Sequence, residues 1–152
     1  MKVKLVLIIL LSFMCLALAQ DEGNVTVAVA ENETYGPILV DANGMSLYLF
    51  INADVEMSEG SMMESVRPEA KSCTEGCLAA WPPLLGSAVT AGEGVNADLL
   101  YVAEFDGMNF VVYNGWPLYY FASDQAPGDI MGQGKGTWHL VNPDGEAVPV
   151  SE

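Results

Sequence analysis

The sequence predicts an all-β, mostly antiparallel fold, and three observations carry that prediction. First, Val111-Val112-Tyr113 and Leu118-Tyr119-Tyr120-Phe121 flank Asn114-Gly115. Asn-Gly accepts positive φ at both central positions of a type I′ turn, so the stretch reads as a tight hairpin. Second, Asn43-Gly44-Met45-Ser46-Leu47-Tyr48-Leu49-Phe50 echoes Asn114 to Phe121 at a constant offset of 71 residues, with Asn-Gly, Leu-Tyr and the later Phe in register. Such spacing indicates a degenerate internal duplication. Third, strand alternation sends Leu118 and Tyr120 to one face and Tyr119 and Phe121 to the other. The expected architecture is a compact module of two related hairpin or meander units, around 38–54 and 108–124, with one short helix near Cys73–Trp81.

Taken in order, Lys2 and Lys4 precede an apolar run from Leu5 to Leu18, and Ala17-Leu18-Ala19 offers an Ala-x-Ala site. Residues 1–19 therefore read as a secretory signal peptide cut after Ala19. The run is shorter than the about 20 residues of a membrane span, so an uncleaved anchor ranks below cleavage. Lipidation at Cys15 ranks lower too, since Ser12-Phe13-Met14 lacks a small residue next to the cysteine.

Residues 20–34 are expected to form an exposed leading segment, an edge strand over Val25–Val29 followed by a linker. It holds two N-glycosylation sequons, Asn24-Val25-Thr26 and Asn32-Glu33-Thr34, which make Asn24 and Asn32 candidate acceptors. A single β domain then runs over 35–150. Ile38-Leu39-Val40 and Ser46 to Ile51 form the first hairpin, and their apolar residues on both faces imply burial on both sides. Asn52 to Ser72 reads as an acidic surface loop containing Met57, Met62 and Met63. Cys73 to Trp81 suits a short helix that Pro82-Pro83 must stop, with Trp81 as a plug. Leu99–Phe105, Met108–Tyr113 and Pro117–Phe121 read as a three-stranded meander. Asp124 to Gly136 is a glycine-rich loop, of the kind that wraps an element or binds something. Thr137–Val141 gives the last strand.

Several blocks share one arrangement: Tyr119-x-Phe121-x-x-Asp124, Cys73-x-x-x-Cys77 before Ala79-Ala80-Trp81-Pro82-Pro83-Leu84, Pro127-Gly128-Asp129, Gly132-Gln133-Gly134, Trp138, and Pro143-Asp144-Gly145. Over roughly Tyr35 to Gly145 their order resembles the secreted or lipoprotein repeat family marked by a Tyr-x-(Phe/Trp/Tyr)-x-x-Asp motif. In the first copy the acid falls one residue late, Tyr48-x-Phe50-x-x-x-Asp54. The resemblance implies an exported repeat protein and brings no established biochemical activity.

The chain carries 20 acidic and five basic side chains, a formal charge of −15. Loss of Lys2 and Lys4 with the signal peptide makes it −17. Such a surface repels phosphate backbones and anionic headgroups, which argues against nucleic acid and anionic membranes as partners. Cations, cationic partners, an unknown surface ligand or an envelope protein fit better. In an exported chain Cys73 and Cys77 are expected to be oxidised, closing a small ring that stabilises by roughly 2 kcal/mol. Glu75 opposes the lowered thiol pKa that a redox dithiol needs.

The candidate site residues are the motif positions Tyr48, Phe50, Asp54, Tyr119, Phe121 and Asp124, with Asp129 and the indoles Trp81, Trp116 and Trp138. As core, the rings make cross-strand pairs and their hydroxyls bond to the motif carboxylates. As a site, they stack on sugars or an apolar ligand. Asp124 and Asp129 on a flexible loop are candidate ligands for Ca²⁺. Met57, Met62, Met63 and His139 are candidates for copper or iron. A Ser–His–Asp device lacks its Gly-x-Ser-x-Gly elbow, and no carboxylate spacing singles out a hydrolase pair. The expectation is a non-catalytic exported binding or structural module without a cofactor. A metal-binding or redox accessory of the envelope is the alternative.

Overall fold

The computed structural model describes residues 23–51, 75–105 and 107–151. The signal segment 1–19, Asp54, the three methionines of the acidic loop and Cys73 lie outside the described residues. The described elements are β1 (Asn24–Asn32), β2 (Gly36–Asp41), β3 (Tyr48–Phe50), α1 (Glu75–Ala80), β4 (Ala88–Ala91), β5 (Leu100–Phe105), β6 (Met108–Tyr113), β7 (Trp116–Pro117) and β8 (Trp138–Leu140), with a 3-10 turn at Ala97–Leu99. The fold is all-β, in sheets ordered β2-β1-β4, β3-β8 and β5-β6-β7. Every ladder is antiparallel except β1–β4, which runs parallel.

Turn chemistry sets both hairpins. Asn114 (φ 49°) and Gly115 (φ 82°) close the second as the two-residue type I′ turn that its sequence predicts. The first loop is one residue longer. Asp41 C=O accepts from Gly44 N–H at 3.0 Å, Gly44 takes φ 81°, and Asp41 Oδ1 accepts from the N–H groups of Asn43 and Met45 at 2.8 and 2.9 Å. That is a type I turn followed by a glycine bulge, braced by the aspartate side chain.

Beyond each turn the two strands part and a third segment enters between them. In the second hairpin three backbone bonds close a ring: Leu118 N–H to Val111 C=O, Val111 N–H to Leu84 C=O, and Leu84 N–H to Leu118 C=O. In the first, Leu47 N–H bonds Leu39 C=O and Leu39 N–H bonds Val141 C=O. Leu84 belongs to the segment that follows the first hairpin, and Val141 to the one that follows the second. Each hairpin is therefore completed by the tail of the other copy, which makes the duplication a single cooperative unit.

The copies meet at Tyr48 and Tyr119. Each donates its N–H to the other's C=O at 2.9 Å, and these residues stand at the 71-residue offset of the repeat. This places a local twofold axis between equivalent tyrosines. Pro83 faces Tyr119 and Leu140 faces Tyr48, so Trp81 and Trp138, each two residues earlier, occupy equivalent places.

Period-two alternation sorts the side chains as the sequence predicts. Tyr48, Tyr119, Phe110, Val112, Ile38 and Val40 pack on one face with Trp81 and Trp138. Leu47, Leu49, Leu118, Val111, Tyr113 and Leu39 pack on the other with Trp116 and Val27. Both faces are covered, as the unbroken apolar runs require.

One expectation needs correction. The leading segment is not an exposed lead-in, because β1 is the central strand of its sheet and Val27 is fully buried. The Val25-Thr26-Val27-Ala28-Val29 run that suggests an edge strand finds partners on both sides, β2 antiparallel and β4 parallel. A parallel partner more than 60 residues away leaves no local signal in the sequence.

Candidate functional site

Seven of the predicted residues converge. Trp81 and Trp138 stack with ring centroids 4.0 Å apart and planes 4° from parallel. Tyr48 meets Trp81 edge-on at 5.4 Å, and Tyr119 meets Trp138 edge-on at 5.1 Å. Phe121 leans on Trp81 at 4.3 Å and Phe50 on Trp138 at 4.9 Å, repeating the local twofold. Such pairs contribute about 0.5–1.5 kcal/mol each beyond area burial. Trp81, Trp138, Tyr48 and Tyr119 are buried, so they form a core and not a stacking platform for ligands. Trp116 is buried too, but on the opposite face. Lys135 Nζ sits 5.5 Å from the centre of the Phe121 ring and covers the edge of the cluster.

Asp124 closes this core. It is buried, and its Oδ2 accepts from the Tyr48 hydroxyl at 2.7 Å while Oδ1 accepts from Met131 N–H at 2.9 Å. Gly132 N–H in turn donates to the Tyr48 oxygen at 3.2 Å. The tyrosine of the first motif thus holds the aspartate of the second, and together they anchor the glycine loop over the indoles. Asp129 does a similar job locally. Its Oδ2 accepts from the N–H groups of Gln125 and Ala126, and Ser46 Oγ donates to its carbonyl at 2.7 Å.

A second tyrosine–carboxylate pair has no place in the motif. Tyr120 O–H donates to Asp41 Oδ2 at 3.0 Å. Both residues line a cleft of about 490 Å³ with Asn24, Thr26, Asn43 and Leu84 among its walls. The Asp-x-Asn-Gly turn and the alternation that sends Tyr120 away from Tyr119 were its only signals in the sequence.

The described metal candidates do not come together. Asp124 and Asp129 already accept N–H or O–H donors, and His139 Nδ1 lies 3.2 Å from Val148 C=O. Alternation along β8 turns His139 away from the Trp138 face that Asp124 borders. Among the described residues, no group of three or more His, Cys, Asp or Glu side chains could hold a metal ion. Cys77 is disulfide-bonded and packs beside the indole core.

Burial raises the phenol pKa values. Tyr119 is pushed up to about 12 by desolvation alone. Tyr48 rises through desolvation and then its bond to Asp124, and Tyr120 through desolvation and then the Asp41 charge. The unfolded chain releases these protons near the ordinary value of 10.0 and the fold keeps them longer. Stability is therefore whole below pH 10 and falls as pH rises toward 12, because the unfolded state then binds fewer protons. Tyrosinate absorbance and near-ultraviolet circular dichroism should show the buried tyrosines ionising only as the fold is lost. Complete ionisation near pH 10 in a folded chain would contradict the burial argument.

No curated protein and no solved structure matches the chain. Residues 101–142 match the family described as a secreted repeat of unknown function, Lipoprotein_15. That stretch runs from β5 through β8, and so holds the second hairpin, Asp124, the glycine loop and Trp138. Among the described residues, no helix is long and apolar enough to cross a membrane. Over residues 101–142, the chain is thus similar to a secreted repeat of unknown function.

Proposed function

We propose that this is an exported, non-catalytic module that acts at the cell surface or outside the cell by presenting a surface to a ligand or envelope partner. The observation that carries the reading is the Tyr48–Asp124–Gly132 network: the polar groups of the motif face inward and close the fold. The description of the matched family as secreted supports the location. On this reading residues 1–19 direct export and are removed after Ala19, and Cys77 pairs with Cys73 across the start of α1. The cleft beside Asp41 and Tyr120 is the surface that takes the ligand, and its carboxylate suits a neutral or cationic one. The acidic charge keeps nucleic acids and anionic membranes away.

Native mass spectrometry of the secreted protein tests the reading. From a host that adds no glycans, the expected mass is that of a chain lacking residues 1–19 and two protons, and it should stay free of metal after dialysis against calcium and against copper. A stoichiometric ion, or two free thiols, would overturn it in favour of a metal or redox accessory.

A further inference from the structure

We propose that Asn32, and not Asn24, is an N-glycosylation site of the exported protein. Both asparagines stand in Asn-x-Thr sequons, and β1 carries one at each end. The chemistry asks the Nδ2 of the side-chain amide to attack C1 of a lipid-pyrophosphate-linked oligosaccharide supplied by the export pathway. The N–C1 bond forms, the C1–O bond to the pyrophosphate breaks, Nδ2 gives up one proton, and the lipid pyrophosphate leaves. A competent asparagine therefore needs a free Nδ2 and space for the sugar beyond it.

Asn24 is exposed, but its amide is engaged on both sides. Its Nδ2 donates to Thr90 Oγ1 at 2.8 Å, and the Thr90 hydroxyl donates back to Asn24 Oδ1 at 3.0 Å. That two-way pair ties β1 to β4 in the short parallel register Asn24↔Ala88 to Val27↔Ala91. Asn24 also lines the cleft, so a glycan there would break the pair and fill the cavity.

At the other end of the strand the amide is used differently. Asn32 Oδ1 accepts from both Thr34 N–H and Tyr35 N–H at 3.0 Å, closing a turn on the acceptor side of the amide alone. Nδ2 has no partner among the described residues. Glu33 and Thr34 are exposed at the tip of this turn, and the strands pair only from Asn32↔Gly36 inward. Both bonds of the turn fall on the amide oxygen, so the half-buried Asn32 keeps its nitrogen out of them. At about 3.3 Å per strand residue, the site stands about 26 Å along β1 from Asn24, so a glycan there leaves the cleft open.

The full chain, secreted from a eukaryotic cell line that modifies Asn-x-Thr sequons, tests this by intact mass and by peptide mapping after enzymatic glycan release. The expected result is one glycan, with Asn32 converted to Asp on release and Asn24 unchanged. Thr34→Ala removes the sequon without touching the asparagine that closes the turn, and should abolish the mass shift completely. Thr26→Ala should leave it intact. A glycan on Asn24, on both asparagines, or on neither would overturn the proposal.

Discussion

Replacing Gly132 by alanine is expected to destabilise the domain by about 3 kcal/mol, the upper end of the cost of overpacking a core. A Cβ at this position would lie 2.8 Å from Trp81 Cη2 and 2.8 Å from Tyr48 Cε1 and Cζ, closer than real Cβ atoms come to any neighbour. Neither ring has room to yield. Trp81 is backed by Trp138 at 4.0 Å, and the Tyr48 hydroxyl is fixed by Asp124 and by the N–H of Gly132 itself. The loop must lift, and lifting it breaks the bonds that join the two copies. Thermal denaturation should show Tm lower by about 10 °C, at roughly 3–4 °C per kcal/mol for a domain of this size. Gly76 in α1 is the control, since a Cβ there meets nothing within 4 Å and alanine suits a helix. Gly76→Ala should be neutral or slightly stabilising, and equal Tm values for the two variants would refute the packing argument.

What could be seen in the sequence divides along the range of the forces involved. Alternation is a property of neighbours, so the placement of Tyr119 and Phe121 opposite Leu118 and Tyr120 could be deduced, as could the same pattern around Tyr48. The Asn114-Gly115 turn was legible because two adjacent residues determine it. Partner choice is not local. The Tyr-x-Phe-x-x-Asp spacing suggests that Tyr119 and Asp124 act together, whereas Asp124 bonds Tyr48, 76 residues away. Nothing in either motif encodes that exchange, which follows from the way each tail completes the other hairpin. The same limit hid the Trp81–Trp138 stack, although the repeat supplied both indoles at equivalent positions. Likewise, β1 could be recognised as β-forming but not as central, because its centrality depends on β4, in a distant part of the chain.

The Tyr48–Asp124 bond gives the second large effect and tests whether the motif is a clasp between copies. Asp124→Ala removes the acceptor of a fully buried phenol and of Met131 N–H together. Leaving the buried phenol without its acceptor costs about 2 kcal/mol, since the Met131 N–H, on an exposed residue, can turn to water. Tyr48→Phe has a different cost, since the buried carboxylate keeps Met131 N–H but loses its shortest partner. If the two residues act through one another, the double variant loses less than the sum of the singles. The coupling from urea unfolding should be at least about 1 kcal/mol. Asp124→Asn retains an acceptor oxygen at the site and should recover about half the loss. Additive single effects would mean that each residue stabilises only its own copy. The bond would then be incidental to the fold, and the family motif would have to be explained by a role outside the core, at a surface where a partner could reach it.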